Sequence, residues 1–271
     1  MNFSKFQTTV NQLIVEQGEL LEREIKTGAL ITTEKKESGD TGDIDIVTLL
    51  DKQIEERFYE ALSDEFPGLG FHLEERPELN DESKEFVCYI DPIDGTKYFA
   101  KGVPLFGISV GVLRGNEEPV FGSIYNPISE QLYSGSEGLP TTLNGVEVTV
   151  SDTDEIRKAI LSLDVATHKE NWEAEKDWIN EKIVAFNSSS QRIRLYGAGA
   201  LSCAWVASGG LDAFVSIWGH GSKPFDIAAG KALIKYAGGE IRDVKVEGLS
   251  SPRFVGGNKG LVDQIEDILT Q

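Results

Sequence analysis

The chain has 271 residues, 40% of them hydrophobic, which is enough apolar material for one large domain or two closely packed halves and sets disorder aside. Lys and Arg number 26 against 45 Asp and Glu, a formal net charge of -19, so binding to nucleic acid through its phosphates is excluded for want of a basic surface. An acidic protein that handles a phosphorylated molecule must neutralise it locally, and a bound divalent cation does so directly.

The opening stretch, MNFSKFQTTVNQLIVEQGE, has polar residues every few positions and no unbroken apolar run. Neither a signal peptide nor a membrane span is expected there, and a cytoplasmic protein is. The two cysteines, Cys88 and Cys203, lie far apart among apolar neighbours and read as buried free thiols of a reducing compartment.

Phe3, Phe6, Val10, Leu13, Ile14, Leu20, Leu21 and Ile25 recur at helical spacing, with Gly28 as the expected stop. A charged loop, EKKESGDTGD, is expected next, followed by a second amphipathic helix that includes IVTLLD and carries Leu50, Ile54, Phe58 and Leu62. After Pro67-Gly68 the runs GFHL, FVCYI, GISVGVL, PVFGSIYN and EQLYSGS predict short strands in an antiparallel meander. Residues 1–148 thus read as an α+β half. From about Thr149, strand-like AILSLDVA, IRLYG, LDAFVSI, GEIRDV and RFVGGN alternate with helical NWEAEKDWINEKIVAF, GALSCAWVASGG, DIAAGKALIKYAGG and KGLVDQIEDIL. That alternation predicts an α/β half, residues 149–271, with a sheet covered by helices. Gly209-Gly210 and Gly238-Gly239 stand where helices should end. The two halves are expected to form one compact unit.

The chemistry concentrates in FVCYIDPIDGTKYFAKG. A buried strand is expected to end at Ile90 and to present Asp91 at its C-terminal end, where sites are commonly built. Pro92 interrupts the ladder. Asp94 follows, so Asp91, Asp94 and the Ile93 carbonyl offer a hard cation three oxygen donors within four residues. Gly95 permits close backbone approach, and Thr96 opens a helix whose amides can receive a phosphate beside the cation. The alternative is that the Asp-Pro and Asp-Gly pairs form an ordinary turn and Asp94 caps a helix. Glu74-Glu75 ends the GFHL run, and Asp226 stands directly before the small-residue helix of KPFDIAAGKAL. Each has a bland reading as well, Glu74 as a solvated charge and Asp226 as a helix cap.

Taken in order, D-x-V-T-x-x-D from Asp45 to Asp51, the Glu74-Glu75 pair, D-P-I-D-G-T, I-R-x-x-G from Ile193 and F-D-I-A-A-G give the chain a resemblance to the inositol monophosphatase family, within the Mg2+-dependent, lithium-sensitive phosphatases. The resemblance covers nearly the whole chain. It implies a layered α-β-α-β-α sandwich (an α/β, or α+β, fold), a homodimer, and two or three Mg2+ per active site. It further implies Glu74, Asp91, the Ile93 carbonyl and Asp94 as metal ligands, with Asp226 completing a second site. Asp51 would hydrogen-bond Thr96, and with Glu74 the pair would orient the attacking water and take its proton. Lys36 resembles the family's mobile-loop lysine.

The same resemblance places Asp94, Gly95, Thr96, Gly197, Ala198, Gly199 and Asp226 against the substrate, with an acidic residue at the end of the later strand holding a hydroxyl. Here that position is Ser216, which cannot supply a charge-assisted contact. Trp218, His220 and Lys223 are candidates to shape the altered pocket, and Phe225 keeps an aromatic wall beside Asp226. The expected reaction is hydrolysis of a sugar, cyclitol or histidinol-type monophosphate by activated water. A nucleotide 3'-phosphatase or fructose 1,6-bisphosphatase is the alternative within the same chemistry, and a non-catalytic protein-binding relative the alternative outside it. Only Lys223, Arg192 and Arg194 stand out to hold a second phosphate, which favours a monophosphate. No nucleic-acid or membrane partner is expected.

Overall fold

Helix α1 (Phe3–Thr27) buries Phe6, Val10, Leu13, Ile14 and Leu21 along one face, and α2 (Leu49–Glu65) buries Ile54, Phe58 and Leu62 beside it. The structure is a computed structural model that describes residues 1–27, 33–38, 43–165, 172–217 and 224–271; for 33–38, 43–48 and Asp226 only the backbone is described. The expected stop at Gly28 lies outside the described residues.

The apolar faces of α1 and α2 rest on a seven-stranded sheet of β3 (Leu69–Leu73), β4 (Phe86–Asp94), β5 (Gly107–Arg114), β6 (Glu118–Asn126), β7 (Gln131–Ser136), β8 (Leu139–Leu143) and β9 (Val146–Glu147), in that spatial order. Phe71, Cys88, Ile90, Val110, Val112 and Phe121 complete this first core. On the opposite face lie α5 (Gly199–Ala207) and α6 (Phe225–Tyr236), whose Ala204, Ala207, Ile227, Ala229 and Leu233 form a second core with Ile124 and Tyr133 of the sheet. These two helices also cover a five-stranded sheet, ordered β11 (Arg192–Arg194), β10 (Ile160–Asp164), β12 (Ala213–Ser216), β14 (Arg253–Gly257) and β13 (Glu240–Val244). Its far face carries α4 (Trp172–Ser189) and α7 (Lys259–Thr270) over a third core of Leu161, Leu163, Val215, Val255, Ile179 and Ile265. Five layers alternate, α-β-α-β-α, as expected.

Two glycines let the middle layer dock. Gly111 and Gly122 are cross-strand partners on β5 and β6. A Cβ on Gly111 would lie 2.4 Å from the Ala229 nitrogen, and one on Gly122 2.3 Å from the Ala229 oxygen. Helix α6 therefore sits backbone-to-backbone on a floor that any side chain would lift.

Several expectations need correction. The segment expected as a loop is in part strand: β1 (Thr33–Ser38) and β2 (Asp43–Thr48) pair antiparallel, and Ile46–Thr48 belong to β2, with the helix starting at Leu49. The D-I-D-I-V-T alternation has the strand period of two, which the charge of the segment obscured. Strand β3 pairs parallel to β4, so only β4 onward is a meander. The 12 residues between β3 and β4 (74–85) leave room for the return that parallel pairing requires, a span no hairpin needs. Strands β8 and β9 were not anticipated. Helix α6 begins at Phe225 with Pro224 as its N-cap, so Asp226 lies within its first turn and neither precedes nor caps it.

Candidate active site

Strand β4 does not stop at Ile90; it continues through Asp94 with a bulge. Asp91 pairs with Ser109 and Asp94 with Gly107, so β4 advances three residues while β5 advances two. In a regular strand residues three apart point to opposite faces. The extra residue, at the position where Pro92 offers no amide to the ladder, brings Asp91 and Asp94 to the same side. The turn is then fixed locally: the Ile93 N–H donates to Asp91 Oδ1 at 3.0 Å, and Thr96 Oγ1 donates to the Ile93 carbonyl at 2.9 Å. Gly95 adopts φ 88°, and a Cβ there would meet the Leu105 carbonyl at 2.5 Å, so only glycine fits. Thr96 opens α3 (Thr96–Phe99), a single turn.

Asp94 ties this turn to the other half of the molecule. Its carboxylate is buried, and Oδ2 accepts the Ala200 N–H at 3.0 Å; the Leu201 amide also bonds it. Both amides belong to the first turn of α5, whose dipole favours an anion there. Burial nonetheless dominates: it pushes the Asp94 carboxyl up to about 7, against the pull of the two amides, and the nearby carboxylates of Asp164 and Glu74 raise it further. The Gly197-Ala198-Gly199 segment leads into the same helix, with Gly197 at φ 63° and Ala198 as N-cap. The Tyr98 hydroxyl of α3 donates to the Tyr196 carbonyl, a second bond between the D-P-I-D-G-T turn and this segment.

Glu74 follows the last residue of β3 and is partly buried. The turn it begins is held by Glu55 on α2, a carboxylate with no solvent exposure that accepts the Glu75 N–H at 2.8 Å and Arg76 Nε at 3.3 Å. Burial raises the Glu55 pKa, and those two donors work against the rise. Asp51 lies one turn earlier on α2, also buried.

The structure thus brings Asp91, Ile93, Asp94, Gly95 and Thr96 into one turn, places Gly197, Ala198 and Gly199 at the helix that Asp94 touches, and sets Glu74 near enough for its charge to reach Asp94. Ser216 ends β12 and is fully buried. The side chains of Asp226 and Lys36, and all of Trp218, His220 and Lys223, lie outside the described residues. Among the described residues no three His, Cys, Asp or Glu side chains close into a group that could hold a metal. Sequence reasoning missed Glu55, Tyr98 and Asp164. The i, i+4 spacing of Asp51 and Glu55 was a usable signal for the first, and an acid ending the apolar run AILSLD for the last.

Comparison with known proteins shows the family. Residues 3–268 match the family model described as the inositol monophosphatase family. The chain is 34% identical over 205 residues to inositol monophosphatase 1 of Solanum lycopersicum, covering 74% of this chain and 73% of that one. It is 33% identical over 236 residues to the fructose-1,6-bisphosphatase/inositol-1-monophosphatase of Aquifex aeolicus, covering 85% and 84%. Among solved structures, the inositol monophosphatase of Anabaena (Nostoc) superposes with a TM-score of 0.80 at 27% identity over 99% of this chain and 96% of that one. The Bartonella henselae extragenic suppressor protein suhB, at 24% identity and a TM-score of 0.83 over 98% and 99%, shares the fold. The chain belongs to the inositol monophosphatase family and is a phosphoric monoester hydrolase that acts on a small phosphorylated metabolite.

Proposed function

We propose that this hydrolase is Mg2+-dependent and releases phosphate from a polyol- or sugar-type monophosphate through the site at the β4 bulge. The observation that carries the reading is the buried pair Asp91 and Asp94, turned to one side by the bulge and tied to the start of α5. The donor chemistry fits Mg2+: hard carboxylate oxygens, a main-chain carbonyl at Ile93, and a crowd of acids around Asp94 whose repulsion a cation relieves. Glu74, Asp91 and the Ile93 carbonyl would hold one ion, and Asp91, Asp94 and Asp226 a second, for two or three per site. When bound, Mg2+ supplies a Lewis acid that lowers the pKa of water and offsets charge developing on the phosphoryl group.

The chain's own groups do the rest. Glu74, and Thr96 with Asp51, orient the attacking water and accept its proton, so no side chain becomes covalently attached. Gly95 and Thr96 receive the phosphate, and the Gly197-Ala198-Gly199 segment, Ser216 and Asp226 face the organic part. Lys36, on β1, keeps the role of the family's mobile-loop lysine. The halves 1–148 and 149–271 act as one unit. A homodimer and inhibition by Li+ accompany this reading on family grounds. Cytoplasmic residence is supported by Cys88 and Cys203, both buried and free.

The test is Asp94→Asn, which removes a charge yet keeps an oxygen to accept the Ala200 N–H. Phosphate release with Mg2+ should fall by about 100-fold or more, while the variant still unfolds in one cooperative transition. Turnover equal to the parent protein would remove this site from consideration.

A further inference from the structure

The C-terminal ends of β10 and β12 lie side by side, and their residues sort cleanly between two faces. In the parallel register Leu161 pairs with Ala213, Ser162 with Phe214, Leu163 with Val215 and Asp164 with Ser216. Leu161, Leu163, Ala213 and Val215 all belong to the core under α4 and α7. Phe214 belongs to the core under α5 and α6. Because side chains alternate along a strand, Ser162, Asp164 and Ser216 share the face of Phe214, the face that looks toward α5. The Ile217 N–H donates to the Asp164 carbonyl at 3.0 Å, which locks the register at the strand ends.

Of the two neighbours, Ser216 has no solvent exposure, whereas Asp164 is partly exposed. Asp164 is therefore the one of the two that solvent reaches. The face that Asp164 shares with Ser216 and Phe214 is the one packed against α5, whose first-turn Ala200 N–H bonds Asp94 of the β4 bulge. Asp164 thus stands at the end of β10, on the side of its sheet that faces α5, the helix whose amide holds Asp94.

Resting on the phosphomonoesterase reading above, we infer that Asp164 is a specificity-determining residue, which accepts hydrogen bonds from hydroxyls on the organic part of a polyol or sugar monophosphate beside the contact assigned to Ser216. Hydroxyl donation to a carboxylate is charge-assisted and roughly twice as strong as donation to a neutral acceptor. The same charge repels a second phosphate, so it selects monophosphates over bisphosphates by attraction and repulsion together.

The experiment compares the parent protein with Asp164→Asn and Asp164→Ser, using Mg2+ with myo-inositol 1-phosphate, fructose 1,6-bisphosphate and p-nitrophenyl phosphate, which has no hydroxyl to recognise. The readout is the ratio of kcat/KM for the inositol ester to that for the nitrophenyl ester, in which any misfolded fraction cancels. We expect that ratio to fall about 10-fold in Asp164→Asn and further in Asp164→Ser, and the relative rate on the bisphosphate to rise in both. An unchanged ratio overturns the inference, as does a parallel loss on all three substrates with a raised Mg2+ requirement, which would make Asp164 part of the metal centre. Failure of the underlying reading looks different: the parent protein itself would release no phosphate in response to Mg2+.

Discussion

Replacing Asp94 with asparagine should make the metal-free protein more stable, and by an amount that depends on pH. The folded carboxyl titrates at about 7 where its ordinary value is 3.8, because burial and the charges of Asp164 and Glu74 disfavour ionisation. A raised folded pKa means the folded state holds the proton, so the group costs nothing at pH below 3.8 and destabilises progressively as pH rises through 7. At 1.36 kcal/mol per pKa unit the cost is about 2 kcal/mol at pH 5 and about 4 kcal/mol at pH 8. With about 2 °C of melting temperature per kcal/mol for a chain of this size, Asp94→Asn in EDTA should melt up to about 8 °C above the parent at pH 8 and about half as far above it at pH 5. Asparagine still offers an oxygen to the Ala200 amide, so the main structural bond survives. Calorimetry at the two pH values, with and without Mg2+, provides the check: Mg2+ should stabilise the parent at pH 8 and do much less for the variant. A variant that melts no higher than the parent at pH 8 without metal, or whose advantage is the same at both pH values, would refute the reasoning.

Two further outcomes follow from contacts around the site. Gly122→Ala drives a methyl group to 2.3 Å from the Ala229 oxygen, so α6 and Asp226 with it must move; a loss of roughly 1–3 kcal/mol is expected by calorimetry. Its phosphate release should fall by more than the melting shift explains, which a comparably destabilising substitution far from α6 would not reproduce. Glu55→Gln keeps an acceptor for the Glu75 N–H but turns an amide donor toward Arg76, so the Glu74 turn loosens. The Mg2+ concentration for half-maximal rate should rise about 10-fold, as for other groups that orient a metal ligand, and an unchanged Mg2+ requirement would show that Glu55 only supports the fold.

Much of this architecture was legible because the signals were periodic. The helical repeat of α1, the five-strand alternation after residue 149 and the capping glycines Gly209 and Gly238, both at positive φ, all lie where the sequence places them. Carboxylate spacing alone pointed to the β4 turn, yet the same reading ended the strand at Ile90. A proline inside a strand looks like a terminator until the bulge that accommodates it is seen. The parallel pairing of β3 was illegible for another reason: register between strands depends on the path of the intervening chain, which local pattern does not encode. Glu55 and Asp164 were missed because each ends or punctuates an apolar run as any solvated acid does. Only the structure shows Glu55 without solvent and Asp164 facing α5.

The position of the site at a seam has an energetic consequence. Asp91, Glu74 and Asp51 come from the half built on the seven-stranded sheet, whereas the amides that hold Asp94, the Tyr196 carbonyl that accepts from Tyr98, and Asp164 come from the half built on the five-stranded sheet. Neither half carries a complete set. The glycine floor at Gly111 and Gly122 lets α6 reach the first sheet by backbone contact, so the spacing between the acids is set by a backbone-to-backbone approach rather than by flexible side chains. A site assembled in this way is lost as soon as the halves separate, even if each keeps its own sheet. On the proposed reading, a bound cation would stabilise the docked arrangement specifically, because separated halves would present the acids singly and bind weakly. Repulsion among Asp94, Glu74 and Asp164 works in the opposite direction when no cation is present, pressing on the seam from within. The same carboxylates that make the seam costly to close are the groups that would draw a cation to close it.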